Sequence, residues 1–384
     1  MSNRKKIGII TFSNTLDNYG QILQYLATQE YLEGRENDVY LYQSIGHKVY
    51  LWYKIKRKLK KIIKKLRKKA ELDISSQQDK SISEHEQTKQ LMFKQWAEIT
   101  QRSENEHPRH FEDFRSKYFH RIKCYYEDLK DFYAFAVGSD QMWSYLSEDT
   151  MLDFVSAETK RFTIAPSVGH KVFTTEEIER ATKSLEKFDF ITVREQNGLD
   201  FCNKCQRADA QLVLDPTFLI PSSQYDKYAD LQGLIAPKHY VLLYLLGGEI
   251  EASVNDIYNW SKEKNLEIVY VASQGRDDDF PKCYASVEQW LALLKNADYV
   301  VTNSFHGMAL SIIYHKQFLV FPLVGLMKGM NGRIEQMAKN FVLQDYIYSG
   351  NMDNILMPID WSKSDEAIIE NEKKIDILLK TINL

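Results

Sequence analysis

Two series of short apolar runs alternate with helical stretches, and one polar segment separates the series. This pattern predicts an α/β fold of two Rossmann-like domains facing a cleft. Strand-length runs that are apolar throughout point to parallel sheets covered on both faces. At 384 residues the chain is long for one hydrophobic core and suits two. Its 44% hydrophobic content is enough to fill both.

The first series opens with a strand at Ile7–Phe12 and a helix at Gln21–Leu32. Further strands are expected at Phe132–Val137, Phe162–Ala165, Phe190–Val193 and Gln211–Leu214, the first, second and fourth followed directly by Gly, Pro and Asp. A helix at Thr175–Phe188 lies among them. The polar stretch Pro221–Lys238 divides the chain into a first domain over 1–220 and a second over 221–384. The second series has strands at Tyr240–Leu246, Glu267–Ala272, Tyr299–Thr302 and Phe318–Phe321, separated by helices such as Ile250–Lys264 and Val287–Asn296. A last helix, Ser364–Ile382, is expected to pack back on the first domain.

Between the first two strand groups sits a basic and polar helical insertion at about 47–108. Residues 54–69, KIKRKLKKIIKKLRKK, hold eleven Lys or Arg and no acid, although the formal net charge of the chain is −3. Leu51, Trp52, Ile55, Leu59, Ile62, Ile63 and Leu66 fall on one helical face with cationic flanks. That pattern fits a helix lying on an anionic membrane surface, with Trp52, Lys56, Arg57, Lys60, Lys61 and Lys64 making the contact. The bland alternative is a cationic helix resting on the protein's own acidic surface. Nucleic acid is not an expected partner, since one basic helix on an acidic chain is a poor footprint.

Four scattered cysteines suit a reducing compartment rather than a disulfide framework. Cys202 and Cys205 share one C-x-x-C spacing, but no second pair follows at zinc-site distance, so no metal is expected. The start, MSNRKKIGIITFSN, has too short an apolar run for a signal peptide, and no stretch reaches the length of a membrane span. A cytoplasmic protein, peripheral at the inner membrane face, is the expectation.

In open α/β sheets, ligands bind outside the carboxyl ends of the strands, so the loops there are where chemistry belongs. The loop Ser13–Gly20 offers Asn18, Tyr19 and Gly20 as substrate-binding candidates, with Tyr19 able to stack on a sugar although core packing is the commoner fate of an aromatic, but one glycine is no dinucleotide fingerprint. Gly138, Ser139 and Asp140 follow a buried strand, where helix capping competes with any catalytic role. Arg194 emerges at another strand end and could simply pair with Glu195. The stretch Asn303-Ser304-Phe305-His306-Gly307 joins a strand to a helix. Asn303 or Ser304 can cap that helix, and its exposed amides suit a phosphate or carboxylate. Gly307 would let the ligand approach the backbone. A lone histidine usually satisfies a core hydrogen bond, but His306 stands among small polar residues at a strand end, where it could serve an anion.

Six segments occur in order: ITFSNTLDNYGQILQ (10–24), VGSDQMW (137–143), TVREQNG (192–198), LDPTFLI (214–220), NADYVVTNSFHGMALSIIYHKQF (296–318) and NGRIEQM (331–337). On these segments the chain resembles the polysaccharide pyruvyl transferase family. It departs at Ile164–Gly169, where the family has a Tyr-Ala-Ala-Ser-like segment, and at Gln317, where Pro is common. The resemblance implies the two-domain GT-B glycosyltransferase architecture. It also implies transfer of the enolpyruvyl skeleton of phosphoenolpyruvate to two sugar hydroxyls, giving a cyclic ketal and phosphate. Phosphoenolpyruvate would be a co-substrate, with no cofactor and no metal. On that reading Arg194, Lys328 and Arg333 grip the anion. His306 is the general acid, its pKa raised by a neighbouring phosphate, and Asp140 orients or deprotonates the acceptor hydroxyl. The acceptor would be a lipid diphosphate-linked oligosaccharide at an anionic membrane surface. A nucleotide-sugar glycosyltransferase and a non-catalytic membrane scaffold remain open as other readings.

Overall fold

The computed structural model describes residues 4–46, 84–169, 172–247 and 250–384. The basic segment, with Trp52, Lys56, Arg57, Lys60, Lys61 and Lys64, lies outside the described residues. Among those described, no helix is long and apolar enough to cross a membrane.

Five strands form the first sheet: β1 Lys5–Ile10, β2 Asn37–Ser44, β3 Arg121–Cys124, β4 Ala134–Val137 and β5 Lys160–Thr163. Their order is β3-β2-β1-β4-β5, and every pairing is parallel. A short parallel pair, β6 Thr192–Val193 and β7 Gln211–Leu212, continues it through a bridge between Phe190 and Phe162. The second sheet contains β8 Tyr240–Tyr244, β9 Glu267–Tyr270, β10 Tyr299–Thr302 and β11 Gln317–Val320, in the order β11-β10-β8-β9, again all parallel. β8, sequence YVLLY, is buried at every position because helices cover both faces. β2 and β3 lack that signature: β2 alternates apolar and polar residues, and β3, RIKC, is a half-exposed edge.

The longer helices among the described residues are α1 Tyr19–Glu33, α2 Glu84–Glu106, α3 Phe111–Tyr118, α4 Thr175–Leu185, α5 Gln196–Lys204, α6 Val254–Glu263, α7 Val287–Asn296, α8 Phe305–Ile313, α9 Gly332–Phe341 and α10 Ser362–Thr381. Capping fixes several starts. α4, α6 and α7 begin with reciprocal boxes, Thr174 with Glu177, Ser253 with Asp256 and Ser286 with Gln289.

One continuous core joins the two sheets: Ile7 and Val39 of the first belong to the same buried cluster as Leu242, Trp290 and Val300 of the second. Tyr19 pins the seam. It is fully buried, stacks on Trp290 at 4.9 Å, and donates its hydroxyl to the Ala285 carbonyl at 2.6 Å. α10 lies against the first domain, where Asp376 accepts from Tyr31 at 2.6 Å and Asn371 accepts the Leu214 amide at 2.7 Å. α2 crosses the same seam near the carboxyl ends of both sheets. Its Thr100 bonds to Asp17, its Arg102 pairs with Asp277 at 2.6 Å, and Trp96 lies directly on Gly275.

Candidate active site

The loops that leave β4, β6 and β7 meet the first turns of α1 and α8 between the two domains. His306 stands in the first turn of α8, whose N-cap is Ser304, with Oγ accepting the Gly307 amide at 3.3 Å. The imidazole is buried against Gly20, in the first turn of α1. A Cβ on Gly20 would fall 2.0 Å from Nδ1, so only glycine leaves room for the ring. Asn18 caps α1 by accepting the Gln21 amide at 3.3 Å. Two helix N-termini, each with positive dipole ends, thus face one histidine.

His306 Nε2 is enclosed without a hydrogen-bond partner and lies 3.9 Å from Asp215 Oδ1. Asp215, fully buried, follows β7 and accepts four hydrogen bonds. Ser139 Oγ (2.6 Å) and Arg194 Nη1 (2.7 Å) reach Oδ2, while the Thr217 amide (3.1 Å) and hydroxyl (3.0 Å) reach Oδ1. Arg194 also approaches Asp140 at 3.5 Å and Glu195 at 3.8 Å. Glu195 uses one oxygen to order the loop after β5, accepting from Ser167 Oγ at 2.6 Å and from the Val168 and Gly169 amides. Its other oxygen accepts no hydrogen bond, and Arg194 Nε and Nη2 and Arg333 Nε donate none. Arg194, Glu195, Asp215, Phe305 and Arg333 surround a cavity of about 20 Å³, room for one water.

The electrostatics follow from that crowding. Burial is the largest influence on His306 and pushes its pKa below the ordinary histidine value, while Asp215 and Asp140 pull it back up. The rise expected from a phosphate neighbour would have to work against this burial. For Asp215, burial alone would raise the carboxyl, but His306, Arg194, Ser139 and the Thr217 amide outweigh it and hold the pKa low. Burial also disfavours charge on Arg194, yet Asp215, Glu195 and Asp140 reverse the effect and keep it firmly protonated. Arg333 is different. Burial and the nearby Arg194 both lower its pKa, and Asp140, Glu195 and Asp215 do not make up the difference, so it is less well compensated than Arg194.

The structure therefore brings His306, Asp140, Arg194, Arg333 and Gly20 together. Others among the expected site residues go elsewhere. Tyr19 is a core residue with its hydroxyl occupied, so it offers no face to a sugar. Asn303 spends both side-chain atoms on the Leu246 backbone, at 2.7 and 3.0 Å. Gly307 has a reason to be glycine within the protein itself: a Cβ there would meet Thr302 Oγ1 at 2.5 Å. Lys328 is exposed on the turn Gly325–Asn331 and stays outside the buried cluster. Sequence reasoning overlooked Asp215 and took Glu195 only as a possible partner for Arg194. Asp215 could have been found, since it follows an apolar run and precedes a proline, as the strand-end rule demands.

A model of the family described as polysaccharide pyruvyl transferase matches residues 18–323. No curated protein matches the sequence. Among solved structures, UDP-GlcNAc 2-epimerase from Methanocaldococcus jannaschii is 13% identical with a TM-score of 0.41, covering 98% of this chain and 99% of that one. The UDP-N-acetylglucosamine 2-epimerase from Rickettsia bellii is 10% identical with a TM-score of 0.44, covering 99% and 97%. The wall teichoic acid polymerase TagF is 10% identical with a TM-score of 0.36, covering 68% and 76%. These are loose likenesses, and the fold rests on the strand orders above. The family match spans most of the chain and includes every strand end that builds the cluster: this protein belongs to the polysaccharide pyruvyl transferase family.

Proposed function

We propose that the protein uses phosphoenolpyruvate to build a cyclic pyruvate ketal on a sugar of a surface polysaccharide precursor, releasing phosphate. One observation carries the reading: a buried histidine with an orphaned nitrogen sits beside an under-compensated arginine at two helix N-termini. Arg333 and the first-turn amides suit a doubly anionic donor. His306 gives its proton to the methylene carbon of the enolpyruvyl group, and a sugar hydroxyl oxygen attacks the central carbon as its own proton passes to Asp140. A second hydroxyl oxygen then displaces phosphate, which leaves with the proton of that hydroxyl. The cavity is about 20 Å³, so it must widen to take the donor.

On this reading the acceptor sits on a lipid carrier, because the basic residues 54–69 would hold the protein at an anionic surface and raise the acceptor's local concentration. Deleting 51–69 should release the protein from anionic vesicles; unchanged binding removes this part of the proposal. The central test is phosphate release from phosphoenolpyruvate that depends on a glycan acceptor. His306→Ala should lower it by roughly 10²–10⁴-fold. Undiminished turnover in that variant would remove His306 from the chemistry.

A further inference from the structure

Asp215 has no part in binding either substrate above, yet it is the most connected carboxylate of the cluster. It comes from the first domain, at the end of β7, and its side chain is fully enclosed. Its four accepted hydrogen bonds use Ser139, Arg194 and Thr217, all from that domain. Across the seam, Oδ1 faces His306 Nε2 at 3.9 Å, too far for a hydrogen bond and close enough for charge to matter. The other groups bearing on the imidazole are Asp140 from the β4 loop, Arg194 from β6 and Arg333 from α9. Phe305 meets the ring edge-on at 5.2 Å, and Gly20 of α1 closes the remaining side. Among these, the two arginines oppose a protonated imidazole, and so do the two helix N-termini. The carboxylates must supply the counter-charge, and Asp215 is the one whose position is fixed by four bonds.

We infer that Asp215 is a positioning residue that keeps His306 able to carry its proton in a buried site, while holding Arg194 in place. The inference rests on the reading of His306 as the acid. It predicts that the second domain's acid is charged by a carboxylate of the first, so proton transfer depends on the two domains being docked.

The test compares the full-length protein with Asp215→Asn by NMR titration of the His306 imidazole, assigned through its loss in His306→Asn. The His306 midpoint should fall by about one pH unit or more in Asp215→Asn. The alkaline limb of kcat against pH, with phosphoenolpyruvate as donor, should move the same way, with KM changed less. Asp215→Glu, which keeps the charge, should move the midpoint back toward wild type. An unmoved midpoint in Asp215→Asn overturns the inference. If that variant fails to fold because Arg194 is left buried without its partner, the double variant Arg194→Met, Asp215→Asn is compared with Arg194→Met alone. The same fall is expected, and equal midpoints overturn the inference. Wild-type protein that does not consume phosphoenolpyruvate would sink the transferase reading while leaving the titration readable. An unmoved midpoint would sink the role of Asp215 and leave turnover intact.

Discussion

Two buried charge clusters join the domains, and they differ in what they leave unmade. Under α2, Arg109 is 1% exposed, pairs with Glu104 at 3.3 Å and reaches the Ala272 carbonyl of the second domain at 3.4 Å. Asp17 nearby is bonded to Thr100 and to Thr15. One side-chain nitrogen of Arg109 is left over. At the α8 start, by contrast, unpartnered nitrogens or oxygens remain on Arg194, Glu195, His306 and Arg333, and three of those side chains line a cavity. Burying charge is common to both clusters, so burial alone does not mark a site. Unmade hydrogen bonds around a space do, because each costs on the order of 1–3 kcal/mol unless a ligand supplies the missing partner. The first cluster is a clasp, and the second is where the proposed function puts its substrate.

The largest effect expected from this contrast comes from a single methyl group. Gly20→Ala places a Cβ 2.0–2.2 Å from the His306 ring, against a helix start that cannot yield, so the imidazole must swing away. Losing a positioned general acid should lower turnover by roughly 10³-fold. The melting temperature should move far less, since the displaced ring fills no hydrophobic hole. Gly34→Ala, where the nearest atom to a new Cβ is 3.3 Å away, serves as the control with near-normal turnover. Full activity in Gly20→Ala would mean that the histidine geometry is irrelevant to the chemistry.

Next in size is the clasp. Arg109→Met leaves Asp17 and Glu104 without their buried cation and should cost about 3 kcal/mol of unfolding free energy. Turnover per folded molecule should stay near wild type, because Arg109 touches nothing in the α8 cluster. Equilibrium denaturation alongside kinetics reads both quantities. A collapse of turnover with unchanged stability would show that the two clusters are one functional unit.

How much of this was legible in the sequence depends on range. The parallel α/β class followed from uniformly apolar runs, and β8, buried at all positions, is the clearest instance. β2 and β3 escaped because one alternates and the other is a polar edge, neither matching the pattern of a doubly covered strand. His306, Asp140 and Arg194 were legible because strand ends are where an open sheet binds ligands. What separates Asn303 and Tyr19 from them is long-range. Nothing local says that the Asn303 amide will be consumed by Leu246, 57 residues earlier in the chain, or that Tyr19 will bond to Ala285. Asp215 illustrates the converse. Its place at a strand end can be read locally, whereas its contacts with Ser139, Arg194 and His306 come from three separate segments that no spacing rule links.

The smallest effect uses pH to set the clusters against each other. In the α8 cluster, burial holds His306 below its ordinary value and the surrounding donors hold Asp215 below its own. Both contributions to stability are therefore complete at higher pH. The part from His306 is lost as pH falls below about 6.5, and the part from Asp215 only below about 3.9, as the unfolded chain takes up protons the native state resists. Asp17, in the clasp, has the opposite sign. Burial raises its carboxyl despite Thr100 and Arg109, so its contribution is full at low pH and fades as pH rises through its native value. Urea midpoints measured between about pH 7 and 5 should thus fall with acid in the wild-type protein. His306→Asn should flatten that fall. Asp17→Asn should steepen the net loss on acidification, because it removes a buried carboxyl that gains from protonation. If both variants shift the slope in the same direction, the opposed electrostatics of clasp and site are wrong, and with them the division of the seam into a part that holds and a part that reacts.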